Sequence, residues 1–157
     1  MTISLRPEQP DDGPFLRHLI TTTISQELGA DFWPEPMRSH LLGVQYSARC
    51  QFFRDRFPTG ESSIILLDGV AAGWLCVAAL ADEVRLAEIM ILPEHRGKGA
   101  GTAVIRRVVE NAGDRPVRLS VNALNTNAAR LYERMGFRRI GGDEVQHLME
   151  HPAGATC

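Results

Sequence analysis

The chain is poor in the features that mark several large protein classes. It has three cysteines in 157 residues. Cys50, Cys76 and Cys157 are odd in number and widely spaced, so neither a disulfide framework nor a zinc site is expected, and Cys50 and Cys76, in apolar contexts, read as buried thiols. No apolar run approaches the roughly 18 residues of a membrane span, and no basic-then-apolar signal pattern opens the chain. A cytoplasmic setting without a membrane partner is the expectation. The net charge is only −2, which gives no reason to expect a nucleic-acid partner. The P-loop pattern is missing. The dinucleotide pattern G-x-G-x-x-G fails as well, because its last position falls on Thr102 when counted from Gly97 and on Val104 when counted from Gly99. There is no internal repeat, low-complexity tract or linker.

What remains is an ordinary globular composition, 44% hydrophobic and 23% charged, at a length suited to one domain. The expected domain is 1–151, with 152–157 as a flexible C-terminal tail. Ile3 to Arg6 alternates and reads as a strand. Asp11, Asp12 and Pro14 start a helix that Gly29 ends. A loop with Phe32 and Trp33 leads to a second helix from Met37 to Arg56, with Leu41, Leu42, Tyr46, Phe52 and Phe53 on its inner face. Strands follow at 62–67, 70–80 and 84–92, the first two joined by an Asp68-Gly69 hairpin. A helix leads to a strand at 117–122, a second helix covers 125–135, and Gly136 stops it. Phe137 to Ile140 and Val145 to Met149 read as a hairpin across Gly141-Gly142. The fold class is α/β (α+β), with a mixed, mostly antiparallel sheet flanked by helices.

One stretch, Ile89 to Ile105, organises the rest. An apolar strand ends at Pro93. A turn carries Arg96, Gly97, Lys98, Gly99, Ala100, Gly101 and Thr102, and a helical pattern resumes with Val104, Ile105, Val108, Val109 and Ala112. Such a turn presents backbone N–H groups at a helix N-terminus, where the dipole favours anions, and glycines let the main chain come close to a phosphate. Arg96 and Lys98 add full charges. The stretch reads as a pyrophosphate cradle.

The motif Arg96-x-x-Gly99-x-Gly101, preceded by Ile91-Leu92-Pro93, resembles the acetyl-coenzyme A signature of the GNAT N-acetyltransferase superfamily. The segment Asn125-Thr126-Asn127-Ala128-Ala129-Arg130-Leu131-Tyr132-Glu133-Arg134-Met135-Gly136-Phe137 resembles the second half of that signature, at a fitting distance. The resemblance implies a single-domain GNAT-like fold with acetyl-coenzyme A as cofactor. It implies that backbone groups of Ile89 and Ile91 pair with the pantetheine arm, and that an amide near Ile91 or Leu92 holds the thioester oxygen. Asn125, beside Ala128 on the next helix, would reach the pantetheine; a helix N-cap is the other reading of that residue. Tyr132 would face the coenzyme sulfur and return a proton to it; a core tyrosine is the alternative.

An amine with a pKa of about 10.4 needs a base or a water path. Glu88, the one charge on an apolar strand face shared with Leu86, Met90 and Leu92, is the candidate. Its alternative is a rim glutamate or one paired with a cation such as Arg118, and His147 and Glu83 are further candidates. Phe32, Trp33, Gln45, Tyr46 and Arg49 are candidates for the acceptor pocket. Arg130 could meet the coenzyme's outer phosphate. The reading is an N-acetyltransferase acting on a primary amine, of small-molecule type, by direct transfer in a ternary complex, as a monomer or homodimer. The alternatives are a non-catalytic coenzyme A-binding sensor or structural module, or a protein N-terminal or lysine acetyltransferase. No metal is expected.

Overall fold

The computed structural model describes residues 1–154. Half of the expected tail, residues 155–157 with Cys157 among them, lies outside the described residues. The elements follow the order β1 (Ile3–Pro7), α1 (Gly13–Leu28), α2 (Met37–Arg56), β2 (Glu61–Leu67), β3 (Val70–Ala79), β4 (Val84–Ile91), α3 (Ala100–Ala112), β5 (Val117–Asn122), α4 (Thr126–Arg134), β6 (Arg138–Gly142) and β7 (Gln146–His151). One seven-stranded sheet runs in the order β1-β2-β3-β4-β5-β7-β6. Every neighbouring pair is antiparallel except β4–β5. The fold class is that expected: mixed, mostly antiparallel and flanked by helices.

Each face of the sheet carries its own core. On one face α3 buries Val104, Ile105, Val108, Val109 and Ala112 against Ile65, Leu75, Val84, Leu86, Leu119 and Val121, and Leu131 and Tyr132 of α4, with Met135 at its C-cap, join them. On the other face α1 supplies Leu16, Leu19, Ile20 and Ile24, and α2 supplies Leu42 and Phe53, against Ile64, Trp74, Cys76, Met90 and Leu92. Each such aliphatic side chain withdrawn from water contributes about 1.5–3 kcal/mol.

Several expectations need correction. Leu41 and Phe52 are 38% and 66% exposed; α2 is apolar on two faces, and only the Leu42/Phe53 face meets the sheet. Cys50 is half-buried, whereas Cys76 is fully buried. Gly141 and Gly142 do not form the last turn. They pair with Leu148 and His147 inside β6, which carries a bulge at Ile140, so the chain reverses at Asp143–Val145.

The sheet has a structural interruption at its centre. β5 pairs with β4 only at Val84↔Val117 and Arg85↔Arg118. Beyond Arg85 the two strands part, and β4 runs on to Ile91 with β3 alone beside it. A slot through the sheet therefore opens along the second half of β4.

Candidate active site

The slot is edged by main-chain groups. Antiparallel residues alternate between hydrogen-bonded and non-bonded pairs. Leu92 N–H donates to the Ala72 carbonyl at 2.8 Å, so the bonded pairs are Leu92–Ala72, Met90–Trp74 and Glu88–Cys76. The N–H and C=O groups of Ile89 and Ile91 consequently point away from β3, towards the slot. Of the two amides proposed for the thioester oxygen, Leu92 is already engaged and Ile91 faces the opening. The Ile91 carbonyl accepts from Arg96 Nε at 2.8 Å. Gly73 lies opposite Ile91, and a Cβ there would collide with the Met90 carbonyl. Only glycine permits β3 to lie this close to β4 at the slot.

Below Ile91 the chain makes a short turn at Pro93–His95 and enters the glycine segment. Gly97 and Gly99 adopt φ of 76° and 82°, a left-handed conformation that side-chain-bearing residues rarely take. Gly99 is the N-cap of α3, and the first helical bond runs from Ala103 N–H to the Gly99 carbonyl. None of the N–H groups from Gly97 to Thr102 donates to a backbone acceptor among the described residues. These free donors, the α3 dipole and the exposed Lys98 suit an anion carrying two phosphates. Arg96 is held between Ile91 and Gln26, whose Oε1 accepts from Nη1 at 2.9 Å.

Tyr132 sits on the α3/α4 face, half-buried, its ring centroid 5.7 Å from that of Phe137. Its hydroxyl has no hydrogen-bond partner among the described residues. Burial, and then the negative charge of Glu88, push its pKa up to about 12. Asn125 is the N-cap of α4, and its Oδ1 accepts from Ala128 N–H at 3.2 Å; the side-chain NH₂ remains available.

Glu88 lies on the α1/α2 face. Ala87 is an extra residue in the pairing with β3, since Cys76 opposes Glu88 and Val77 opposes Leu86. The bulge corrects the expected face: Leu86 turns to the α3 side, whereas Glu88 keeps company with Met90 and Leu92. Its cation is Arg49 of α2, with Nε 3.5 Å from Oε1. It is not Arg118, which bridges Glu83 and Glu150 at 3.1 and 2.8 Å. Burial raises the Glu88 pKa, Arg49 pulls it back, and Glu27 raises it again. Glu83 is tied into the Arg118 network, and His147 lines a shallow depression with Arg139, Asp143, Glu144 and Val145. Among the acceptor candidates, Trp33 packs on the α1/α2 core. Phe32 is 95% exposed on the turn after α1, and Gln45 is exposed on α2. Tyr46 lines a separate cleft of about 420 Å³ with Glu8, Cys50, Ser62 and Trp74. The sequence assigns no site role to Glu27, Gln26 or Gly73; an acid and an amide in the last turn of a helix and a strand glycine beside a tryptophan carry no signal of their own.

Comparisons with known proteins place this fold in a family. The family profile for acetyltransferase (GNAT) matches residues 25–137. The chain is 31% identical over 133 residues to the mycothiol acetyltransferase of Nocardiopsis dassonvillei, covering 74% of this chain and 38% of that protein. It is 37% identical over 83 residues to the streptothricin acetyltransferase of Streptomyces lavendulae, covering 50% of this chain and 44% of that protein. The chain therefore spans less than half the length of these relatives. The crystal structure of the PaiA N-acetyltransferase from Thermoplasma acidophilum in complex with coenzyme A superimposes with a TM-score of 0.73 at 18% identity, over 97% of this chain and 99% of that one. The chain belongs to the acetyltransferase (GNAT) family.

Proposed function

We propose that the chain is an acetyl-coenzyme A-dependent N-acetyltransferase that acts on a small-molecule primary amine by direct transfer. The observation that carries this reading is the slot, with the Ile89 and Ile91 main-chain groups turned towards it and N–H groups at the start of α3 that have no backbone acceptor among the described residues. Gly97 to Thr102 and Lys98 would hold the pyrophosphate, and Ile89, Ile91 and Asn125 the pantetheine arm. When bound, acetyl-coenzyme A supplies the acyl group as a thioester.

The chain's own groups divide the remaining work. Ile91 N–H can donate to the carbonyl oxygen, where negative charge builds during acyl transfer. Glu88, raised towards neutrality, takes a proton from the incoming ammonium and passes it to solvent. The hydroxyl of Tyr132, held protonated, donates to the sulfur as the C–S bond breaks and the N–C bond forms; the second proton lost by the nitrogen balances the one delivered to sulfur. Cys76 is no nucleophile, because burial holds its thiol protonated, which favours direct transfer over an acyl-enzyme. The small-molecule acceptor is supported by the relatives named for mycothiol and streptothricin acetylation.

An amine panel assayed with acetyl-coenzyme A and mass detection tests the reading. An acetylated product is expected. Tight coenzyme A binding without transfer to any amine would overturn it in favour of a binding module.

A further inference from the structure

Three elements bring charges together beside Glu88. Glu27 near the end of α1, Arg49 in α2 and Glu88 on β4 form a chain of ion pairs. Arg49 Nη2 stands 3.7 Å from Glu27 Oε2, and Arg49 Nε stands 3.5 Å from Glu88 Oε1. Two carboxylates thus share one guanidinium, and a net negative charge remains. The pairing is also loose. Well-formed N–H···O bonds between ions close to about 2.7–2.9 Å, as Arg118 and Glu150 do at 2.8 Å, and neither Arg49 contact reaches that range. All three side chains keep contact with solvent, at 48% for Glu27, 31% for Arg49 and 24% for Glu88. At the cradle, Arg96 and Lys98 flank the glycine turn without a carboxylate partner among the described residues. Positive charge therefore marks the phosphate end of the slot, and the Glu27–Arg49–Glu88 cluster places a local net negative charge beside Glu88.

We propose that Glu27, acting with Arg49, is a specificity-determining residue that selects a cationic amine without a carboxylate next to the reacting nitrogen, in preference to the corresponding amino acid. The inference rests on Glu88 being the base at the acceptor side of the slot. An acceptor arrives as an ammonium ion, and the uncompensated carboxylate charge attracts it. The ammonium shares Glu88 with Arg49, which can close on Glu27 instead because neither of its present contacts is tight. An acceptor with an α-carboxylate meets two glutamates and a guanidinium already divided between them. The electrostatic neighbours of Glu88 are Arg49 and Cys50 from α2, Glu27 from α1, Cys76 from β3 and Tyr132 from α4. Arg49 is the only cation among them in the described residues.

Amines matched with their α-carboxylated counterparts test the selection: phenethylamine with phenylalanine, tyramine with tyrosine, and histamine with histidine. For the wild type, kcat/KM should favour the amine at least about fivefold, the equivalent of about 1 kcal/mol. Glu27→Gln should shrink the ratio by a similar factor, and Glu27→Lys should reverse it; a ratio within one variant cancels any loss of folded protein. The acid limb of the pH–rate profile adds a second sign. It should move to lower pH in Glu27→Gln, which loses a charge that raises the Glu88 pKa. It should move to higher pH in Arg49→Gln, which loses the charge that lowers it. Equal use of amine and amino acid by the wild type, or an unchanged ratio in Glu27→Gln, overturns the inference. Calorimetry of the same compounds with the coenzyme A-loaded protein reads selection without turnover. Preference in binding with no transfer leaves the selection standing and overturns the transferase reading, whereas transfer without preference does the reverse.

Discussion

Tyr132→Phe separates chemistry from packing, because the tyrosine hydroxyl has no hydrogen-bond partner among the described residues while its ring packs against Phe137. Removing the hydroxyl keeps the ring contact, so the melting temperature and coenzyme A affinity should stay close to wild type. The effect on turnover follows from the pKa of about 12. Against a thiol of ordinary pKa, about 8.5, complete proton transfer from this phenol is uphill by roughly 3.5 pKa units, or about 5 kcal/mol. Tyr132 therefore assists chiefly as a hydrogen-bond donor to the charge growing on sulfur, with transfer completed late. A hydrogen bond to a charged group contributes about 1.5–3 kcal/mol, so the single-turnover rate should fall roughly 10- to 150-fold. The deficit should narrow with an acyl donor whose thiol is more acidic. The same pKa keeps the hydroxyl protonated across the assay range, so Tyr132 should create no loss of rate below about pH 10. Near-normal transfer by the Phe variant, or a basic limb below that pH that disappears with the hydroxyl, would refute the assignment.

Glu88→Gln should remove the acid limb of the pH–rate profile and leave a rate that recovers at high pH, where amines deprotonate unaided; it should also lower the Tyr132 pKa, readable by ultraviolet titration of the phenol, since the Glu88 charge helps to raise it. Gly99→Glu should weaken coenzyme A at least about tenfold by calorimetry, about 1.4 kcal/mol, through both its charge and the strain of a positive φ. Gly73→Ala drives a methyl group against the Met90 carbonyl and should lower stability by about 1–3 kcal/mol in a urea titration. Asp12 accepts from both Arg6 guanidinium nitrogens at 2.8 and 2.7 Å, and its pKa is lowered to about 2. A lowered carboxylate pKa stabilises the fold above the ordinary value and is lost as pH falls towards 2, so Asp12→Asn should flatten the acid limb of a stability profile between about pH 4 and 2.

The parts of the site that could be read from the sequence are those whose chemistry is local. A glycine turn between an apolar strand and an apolar helix fixes its own N–H groups in space, and both ends of Met37–Arg56 follow from flanking prolines and a Pro58-Thr59-Gly60 break. Other features depend on events between elements. Strict alternation along Val84–Leu92 puts Leu86 beside Glu88; one extra residue at Ala87 reverses this, and nothing about an alanine announces a bulge. The partner of Glu88 could not be read for the same kind of reason. Arg118 looked near because parallel strands lie side by side, but β5 leaves β4 after Arg85 and carries Arg118 to Glu83 and Glu150. That same divergence opens the slot and leaves Glu88 to a cation from α2. The bulge and the parting of strands thus act together. The first turns Leu86 to the α3 side and leaves the carboxylate on the α1/α2 face with Met90 and Leu92, and the second gives that face a passage to Tyr132 on the other. Filling Gly73 should disturb both, since it sits where β3 holds β4 in line at the end of the slot.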